Sequence, residues 1–266
     1  MHSFFKTIFK VLLLVMALGI TGCKLTQKNI TVNNQKIATY FPSKPLNSKY
    51  LVVFEAGLGD SHDVWIKNDL LVRLGLFSDY VIYDRQGYGK SSLDTDARDI
   101  ERLTLDLAAV ADEFRAGRKL ILVGHSLGGM VIRDYAIKHP GTVASLLFID
   151  SSHEDYNNPS DEQVKQIADM LKSIPGARAE ALSLGDDTKY MKNLPFLPNV
   201  PVIVLDSMKV DDSHSQQDRN SWYEAKEKLK AGVTRFEHTT TTQSGHYIML
   251  DQPNLVLNAL EKLYKF

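Results

Sequence analysis

The chain reads as an α/β protein: a doubly wound, mainly parallel sheet that begins with an antiparallel hairpin and carries a small helical cap. Three observations predict this. Short apolar runs at Leu51 to Phe54, Tyr80 to Tyr83, Leu120 to Val123, Ala144 to Ile149 and Val202 to Leu205 have the pattern of strands buried on both faces. Segments whose apolar residues recur at helical spacing alternate with those runs. Two stretches break the alternation: residues 29–41 alternate in polarity like a hairpin, and residues 151–200 are polar with sparse apolar anchors.

One junction carries chemistry. The buried run ending at Val123 is followed by Gly124-His125-Ser126-Leu127-Gly128-Gly129, and then Met130, Val131, Ile132, Tyr135, Ala136 and Ile137 recur as a helix would space them. The order is strand, sharp turn, helix, with a serine at the turn. A serine there is held in a strained conformation with its hydroxyl outward. Gly124 and Gly128 leave room for the helix to cross the strand. The helix N-terminus supplies free N–H groups and a partial positive charge where an oxyanion would form. Ser126 is therefore the candidate nucleophile.

Here the chain resembles the α/β-hydrolase superfamily, in particular its serine esterase and lipase-like members, over about residues 29 to 266. Gly-His-Ser-Leu-Gly-Gly resembles their nucleophile elbow. The resemblance implies an acyl-transfer mechanism with a histidine base, an acid and a backbone oxyanion hole, and no cofactor or metal.

From the N-terminus, Lys6 and Lys10 precede an apolar segment, Val11 to Ile20, that is short for a membrane span. Ile20-Thr21-Gly22-Cys23 follows and resembles the bacterial lipobox. Residues 1–22 are thus expected to be a lipoprotein signal peptide, with Cys23 lipidated and the protein exported and anchored to a membrane. Lys24 after the cysteine favours the outer membrane in a Gram-negative cell. Cys23 is the only cysteine, so no intrachain disulfide forms. Removing the leader takes two of 31 basic residues and leaves the 32 acids, a net charge of −3. That balance argues against a nucleic-acid surface. About 240 residues remain, enough for one sizeable domain: a first core part at 23–150, a cap insertion at 151–200 and a second core part at 201–266.

Ile30, Val32, Ile37, Thr39 and Phe41 alternate around Asn33-Asn34, a pair suited to a tight turn. Leu51 to Phe54 ends in Glu55-Ala56-Gly57-Leu58. The matching loop in the resembled family often begins His-Gly, and the next backbone N–H completes the oxyanion hole. Here Ala56-Gly57 stands in that place, so the resemblance assigns the donors to Leu58 and Leu127. Val64, Trp65, Leu70, Leu71 and Leu74 predict an amphipathic helix, with Trp65 in the core. Asp84-Arg85-Gln86-Gly87-Tyr88-Gly89-Lys90-Ser91 lacks the leading glycine of a phosphate loop, because Asp84 occupies that position. It resembles a structural turn of the hydrolases, with Asp84 and Arg85 holding the turn. Leu103, Leu107, Val110, Ala111 and Phe114 predict another helix, and His139-Pro140-Gly141 ends the elbow helix.

Val202 to Leu205, a helix over Trp222 to Leu229 and a last strand over Val233 to Glu237 complete the alternation. Gln243-Ser244-Gly245-His246 follows, and the resemblance places the general base in such a loop: His246. The side chain of His125 is expected to point away from the nucleophile, and His238 to serve packing or surface. The acid is open between two strand ends. Asp150 closes one apolar run; Asp206, Asp211 and Asp212 follow the next. Either position could orient His246; Asp150 is preferred and Asp211 second. The function expected is hydrolysis of an ester-like bond in a small molecule bearing an acyl or carbonyl group. Carbon–carbon or amide hydrolysis, acyl transfer, and a non-catalytic binding lipoprotein are the alternatives.

Overall fold

Asn33 and Asn34 both take positive φ, 50° and 64°, so the chain reverses between β1 (Leu25–Val32) and β2 (Gln35–Pro42) in the tight hairpin their residue types favour. The computed structural model describes residues 24–93, 96–212 and 214–266. Cys23 and the leader lie outside them. Strands β3 (Tyr50–Glu55), β4 (Asp79–Tyr83), β5 (Lys119–His125), β6 (Val143–Ile149), β7 (Val202–Ser207) and β8 (Phe236–Thr241) join the hairpin in one sheet. The order is β1-β2-β4-β3-β5-β6-β7-β8. The hairpin pairs antiparallel with β4, and every pair from β4 to β8 is parallel.

Helices cover both faces, which explains the unbroken apolar runs. Leu51, Val53, Leu120 and Leu122 pack on the face that carries α2 (Ile100–Arg115) and α3 (Leu127–Lys138). Val52, Phe54, Ile121 and Val123 pack on the other, against α1 (Leu70–Leu74) and α8 (Pro253–Lys265). Trp65 is in that second core, with its ring 4.9 Å from that of Phe54. The cap contains α4 (Asp161–Met170), closed at its start by a Ser160–Gln163 capping box, and α5 (Pro175–Lys192), with proline at its first turn. Then come α6 (Gln216–Glu227) and the short α7 (Ile248–Asp251). The chain leaves β3 toward β4 on one side and returns to β5 on the other. Such a crossover opens a crevice at the carboxyl ends of the strands, and the site sits there.

Three elements differ from expectation. The helix predicted through 64–74 is split into a 3₁₀ turn, His62–Trp65, and α1. Asn68 causes the break: its side-chain oxygen accepts from Leu70 N at 3.0 Å, and its amide donates to Met249 O at 2.7 Å. The last strand runs from Phe236 to Thr241 rather than from Val233, because its register with β7 pairs Val204 with His238 and Ser207 with Thr241. The threonines look like loop residues but suit an edge strand. The helix expected to hold Trp222 to Leu229 is α6, capped by Ser215, but it stops at Glu227, and Lys228–Lys230 form a 3₁₀ turn. Among the described residues, no helix is long and apolar enough to cross a membrane.

Candidate active site

Ser126 stands between β5 and α3 with φ 52° and ψ −122°. A non-glycine residue held there costs on the order of 1–3 kcal/mol, so its surroundings must impose the conformation. They do so by close approach. A Cβ on Gly124 would lie 2.6 Å from Gly128 O, one on Gly128 2.3 Å from Glu55 O, and one on Gly129 2.3 Å from Ser151 Cβ. No side chain fits at any of the three. Ser126 O accepts from both Gly129 N and Ser152 N at 2.9 Å, which ties the elbow to the segment after β6. Leu127 is the first helical residue, so its N–H has no acceptor within the helix.

The β3 loop lies against this elbow. A Cβ on Gly57 would stand 3.1 Å from Ser126 Cβ and 2.9 Å from His125 Nδ1. Buried Arg85 orients the loop by donating to Ala56 O at 2.6 Å and Gly57 O at 2.7 Å. In a trans peptide the N–H points opposite the carbonyl, so the Leu58 N–H is turned away from Arg85. Arg85 also pairs with Glu55 at 3.0 Å and, through two nitrogens at 2.7 and 2.9 Å, with Glu180 on the cap helix α5. Burial pushes the Glu55 carboxyl up to about 7 against the pull of Arg85 and of the Tyr83 hydroxyl. Asp84 holds the turn as expected, accepting from Tyr40, His62 N and Lys90 N, each at 3.0 Å. The wider role of Arg85 was missed because Glu180 lies 95 residues away.

His246 Nδ1 is 2.6 Å from Asp150 Oδ2. The other oxygen of Asp150 accepts from Ser207 N at 2.9 Å and from the Trp222 indole N–H at 3.0 Å. Burial by itself would raise the Asp150 carboxyl. The His246 bond, the nearby Lys226 charge and the Ser207 N–H outweigh it and hold Asp150 below the usual carboxylate range. The remaining acids go elsewhere. Asp206 lies inside β7, not after it, and meets Lys226 Nζ at 3.1 Å and His238 Nε2 at 2.9 Å. Asp211 and Asp212 are exposed, and Asp211 bonds to His214 at 3.0 Å. His238 thus belongs to a buried charge cluster. His125 does not turn away from the site: its ring centroid is 4.6 Å from that of His246, and its Nε2 lies 3.0 Å from His246 O. Burial holds the His125 pKa down, so it is neutral and its Nε2–H donates to the loop that carries His246. Trp222 and Lys226 were also unanticipated. They sit one turn apart on α6, with the ammonium 3.6 Å from the indole centroid.

Above Ser126 opens a cavity of about 540 Å³. Leu58, Leu127 and Met130 line it from the core, and Ile167, Met170 and Leu184 from the cap. Among the described residues, no group of three or more His, Cys, Asp or Glu side chains is placed to hold a metal ion.

A family model described as the alpha/beta hydrolase fold matches residues 50–262. The (lyso)-N-acylphosphatidylethanolamine lipase of Bos taurus is 32% identical over 123 residues, which cover 44% of this chain and 35% of that protein. The 1-acylglycerol-3-phosphate O-acyltransferase of Sus scrofa is 30% identical over 151 residues, covering 54% and 39%. These matches span between a third and two fifths of the relatives' length. A thermophilic esterase from Thermogutta terrifontis superposes with a TM-score of 0.67 at 17% identity, over 91% of this chain and 98% of that one; at that identity the likeness concerns the fold.

Proposed function

The chain belongs to the alpha/beta hydrolase fold family, and on that premise we propose that it is a serine hydrolase acting on ester-like bonds. Ser126 attacks the carbonyl carbon. His246 takes the hydroxyl proton through Nε2 and returns it to the leaving group, while Asp150 stabilises the imidazolium through Nδ1. The N–H groups of Leu58 and Leu127 receive the oxyanion. Water then attacks the acyl-enzyme by the same steps. The observation that carries this reading is the 2.6 Å contact between His246 and Asp150, on a strand end beside a strained serine that lines a cavity.

A fluorophosphonate probe tests it. Wild type should be labelled on Ser126, while Ser126→Ala and His246→Ala should not; an unlabelled wild type would leave a non-catalytic module. A panel of acyl esters, amides and diketones then separates ester hydrolysis from amide and carbon–carbon cleavage, and added alcohol acceptors reveal acyl transfer. The Asp-nucleophile chemistry of some hydrolase-fold enzymes is disfavoured because Ser126 holds the nucleophile position. We further propose that Cys23 is lipidated and anchors the exported protein to a membrane. Wild-type cells should incorporate radiolabelled palmitate into the protein and Cys23→Ser should not; soluble wild type without palmitate would refute the anchor.

A further inference from the structure

Asp187, on cap helix α5, lines the cavity above Ser126. It is 3% exposed. One carboxyl oxygen accepts from Ile100 N, at the start of α2, at 2.8 Å. The other is buried with no hydrogen-bond partner. Leaving such an atom unsatisfied is costly, and in a substrate cavity it is the substrate that can complete it. Polar side chains share the cavity lining with Leu58 and Met130, among them Tyr156, Asn157, Gln163 and Thr188, yet none of them bonds to that oxygen. The reading that follows rests on the serine hydrolase assignment of the same cavity.

We infer that Asp187 is a specificity-determining residue, whose free carboxyl oxygen receives an oxygen acceptor of the substrate, so that the preferred ester carries an ether, hydroxyl or second carbonyl rather than a plain alkyl chain. The charges around it decide which partner it takes. Asp99 at the start of α2, and Glu180 and Asp186 on α5, are all acids; Arg85 is committed to Glu180, and Lys189 pairs with Asp186. Burial first, then these acids, push the Asp187 carboxyl up to about 8, against the opposing Ile100 N–H. At neutral pH the group keeps its proton, and its free oxygen is an O–H donor that pairs with an acceptor.

Ester pairs differing by one atom test this. Hexanoate esters are compared with analogues in which one methylene is replaced by an ether oxygen, scanned along the acyl chain in one series and along the alcohol in the other. The readout is the ratio of kcat/KM, oxygen analogue to parent. In wild type at pH 7, at least one analogue in one series should lead its parent by about tenfold, the worth of one good hydrogen bond. Asp187→Leu should bring that ratio to about one. Asp187→Asn keeps an acceptor for Ile100 N and an N–H donor for the substrate, so it should keep the preference. Raising the pH through about 8 should erode the ratio in wild type and not in Asp187→Asn. That titration also decides the matter should Asp187→Leu fail to fold. A ratio unmoved by Asp187→Leu, a flat wild-type pH profile, or a preference for amine-bearing esters over the ether series would overturn the inference. Where fluorophosphonate labels Ser126 and the ratios stay flat, Asp187 alone loses its role; where Ser126 is not labelled, the serine hydrolase reading fails and this one with it.

Discussion

Asp150 and Asp206 lie at the carboxyl ends of neighbouring parallel strands, each without exposed surface. Asp150 bonds to the His246 ring through one oxygen and to the Trp222 indole and the Ser207 N–H through the other, with the Arg219 guanidinium 4.0 Å away. Asp206 bonds directly to the Lys226 ammonium and to the His238 ring. Helix α6 divides them, since Trp222 reaches the first acid and Lys226, four residues on, reaches the second. Two aspartates with the same sheet position and the same burial are thus given different tasks by what the crossing helix and the last loop bring. In the proposed mechanism the first holds the base, and the second neutralises a buried lysine. Strand-end position nominates an acid; the lateral partners choose it.

Substitution at Asp150 should give the largest effect and would break the comparison if it did not. Asp150→Asn keeps the shape but removes the charge that stabilises the imidazolium, and its amide can favour the wrong tautomer of His246. The loss in kcat near neutral pH should be on the order of 10³–10⁴; the asparagine variant of the serine-protease triad is the worked precedent for about 10⁴. Far-UV circular dichroism should stay native. A loss of only a few fold would remove Asp150 from the mechanism. The folded-state pKa of Asp150 is lowered, so its contribution to stability is present above the unfolded carboxylate range and is lost as pH falls through the folded value. Wild type should therefore lose more stability than Asp150→Asn between pH 5 and more acidic conditions.

Asp206→Asn should act on stability more than on rate. It leaves the Lys226 ammonium buried with a weakened partner, and breaking a buried pair costs roughly 3–5 kcal/mol. Burial already pulls Lys226 down to about 8. Removing Asp206 lowers it further, so the variant sheds the proton that wild type retains below that pH. The stability difference should accordingly grow as pH falls from 9 to 7. Urea midpoints at the two pH values check the sign. A variant that loses kcat as steeply as Asp150→Asn, with an unchanged midpoint, would exchange the roles of the two acids.

How far this division could be read in the sequence depends on distance along the chain. The strand–turn–helix pattern at Ser126 is local, and so is the small-residue loop around His246; both were legible. The parallel strands were legible because burial on both faces demands continuous apolar runs. The choice of acid between Asp150 and Asp211, with Asp206 and Asp212 behind them, was open, because both strand ends follow such a run. Trp222, Lys226, Glu180 and Asp187 sit on helices as ordinary polar or aromatic residues. Their meaning comes only when the chain folds across 72 residues from Trp222 to Asp150 or 95 from Glu180 to Arg85. The split at Asn68 was hidden for the same reason, since its amide is claimed by Met249, 181 residues on.

A smaller effect belongs to Trp222, which sharpens the comparison at one bond. Trp222→Phe keeps the ring that covers Lys226 and removes the N–H that donates to Asp150 Oδ1. Ser207 N continues to hold that oxygen, so Asp150 loses one of two anchors on it. A loss of about tenfold in kcat, with KM little changed, is expected from about 1.4 kcal/mol of orientation. Trp222→Leu should lower the unfolding midpoint as well, because the aromatic contact with Lys226 goes too. Equal kinetics in Trp222→Phe and wild type would show that Ser207 N positions Asp150 unaided.

The smallest effect is expected at Asp211, the aspartate that sequence ranked second as the partner of His246. It is exposed, and its bond to His214 closes a local turn at the surface, with Asp211 N and His214 O 3.1 Å apart across a short antiparallel bridge. An exposed pair of this kind contributes roughly 0–1 kcal/mol, less in salt. Asp211→Asn retains the backbone bridge and an acceptor oxygen for His214. Its kcat and kcat/KM should stay within about twofold of wild type, and its thermal midpoint should shift by no more than a surface pair accounts for, about 1 kcal/mol at most. The pair of measurements matters more than either alone. If Asp150→Asn and Asp211→Asn lost activity to the same degree, the loop after β7 would have to reach the base in the working enzyme. The 2.6 Å contact of His246 with Asp150 would then describe a resting arrangement. A steep loss at Asp150 beside a flat response at Asp211 assigns the acid to β6, one strand before the position where the resembled family commonly carries it.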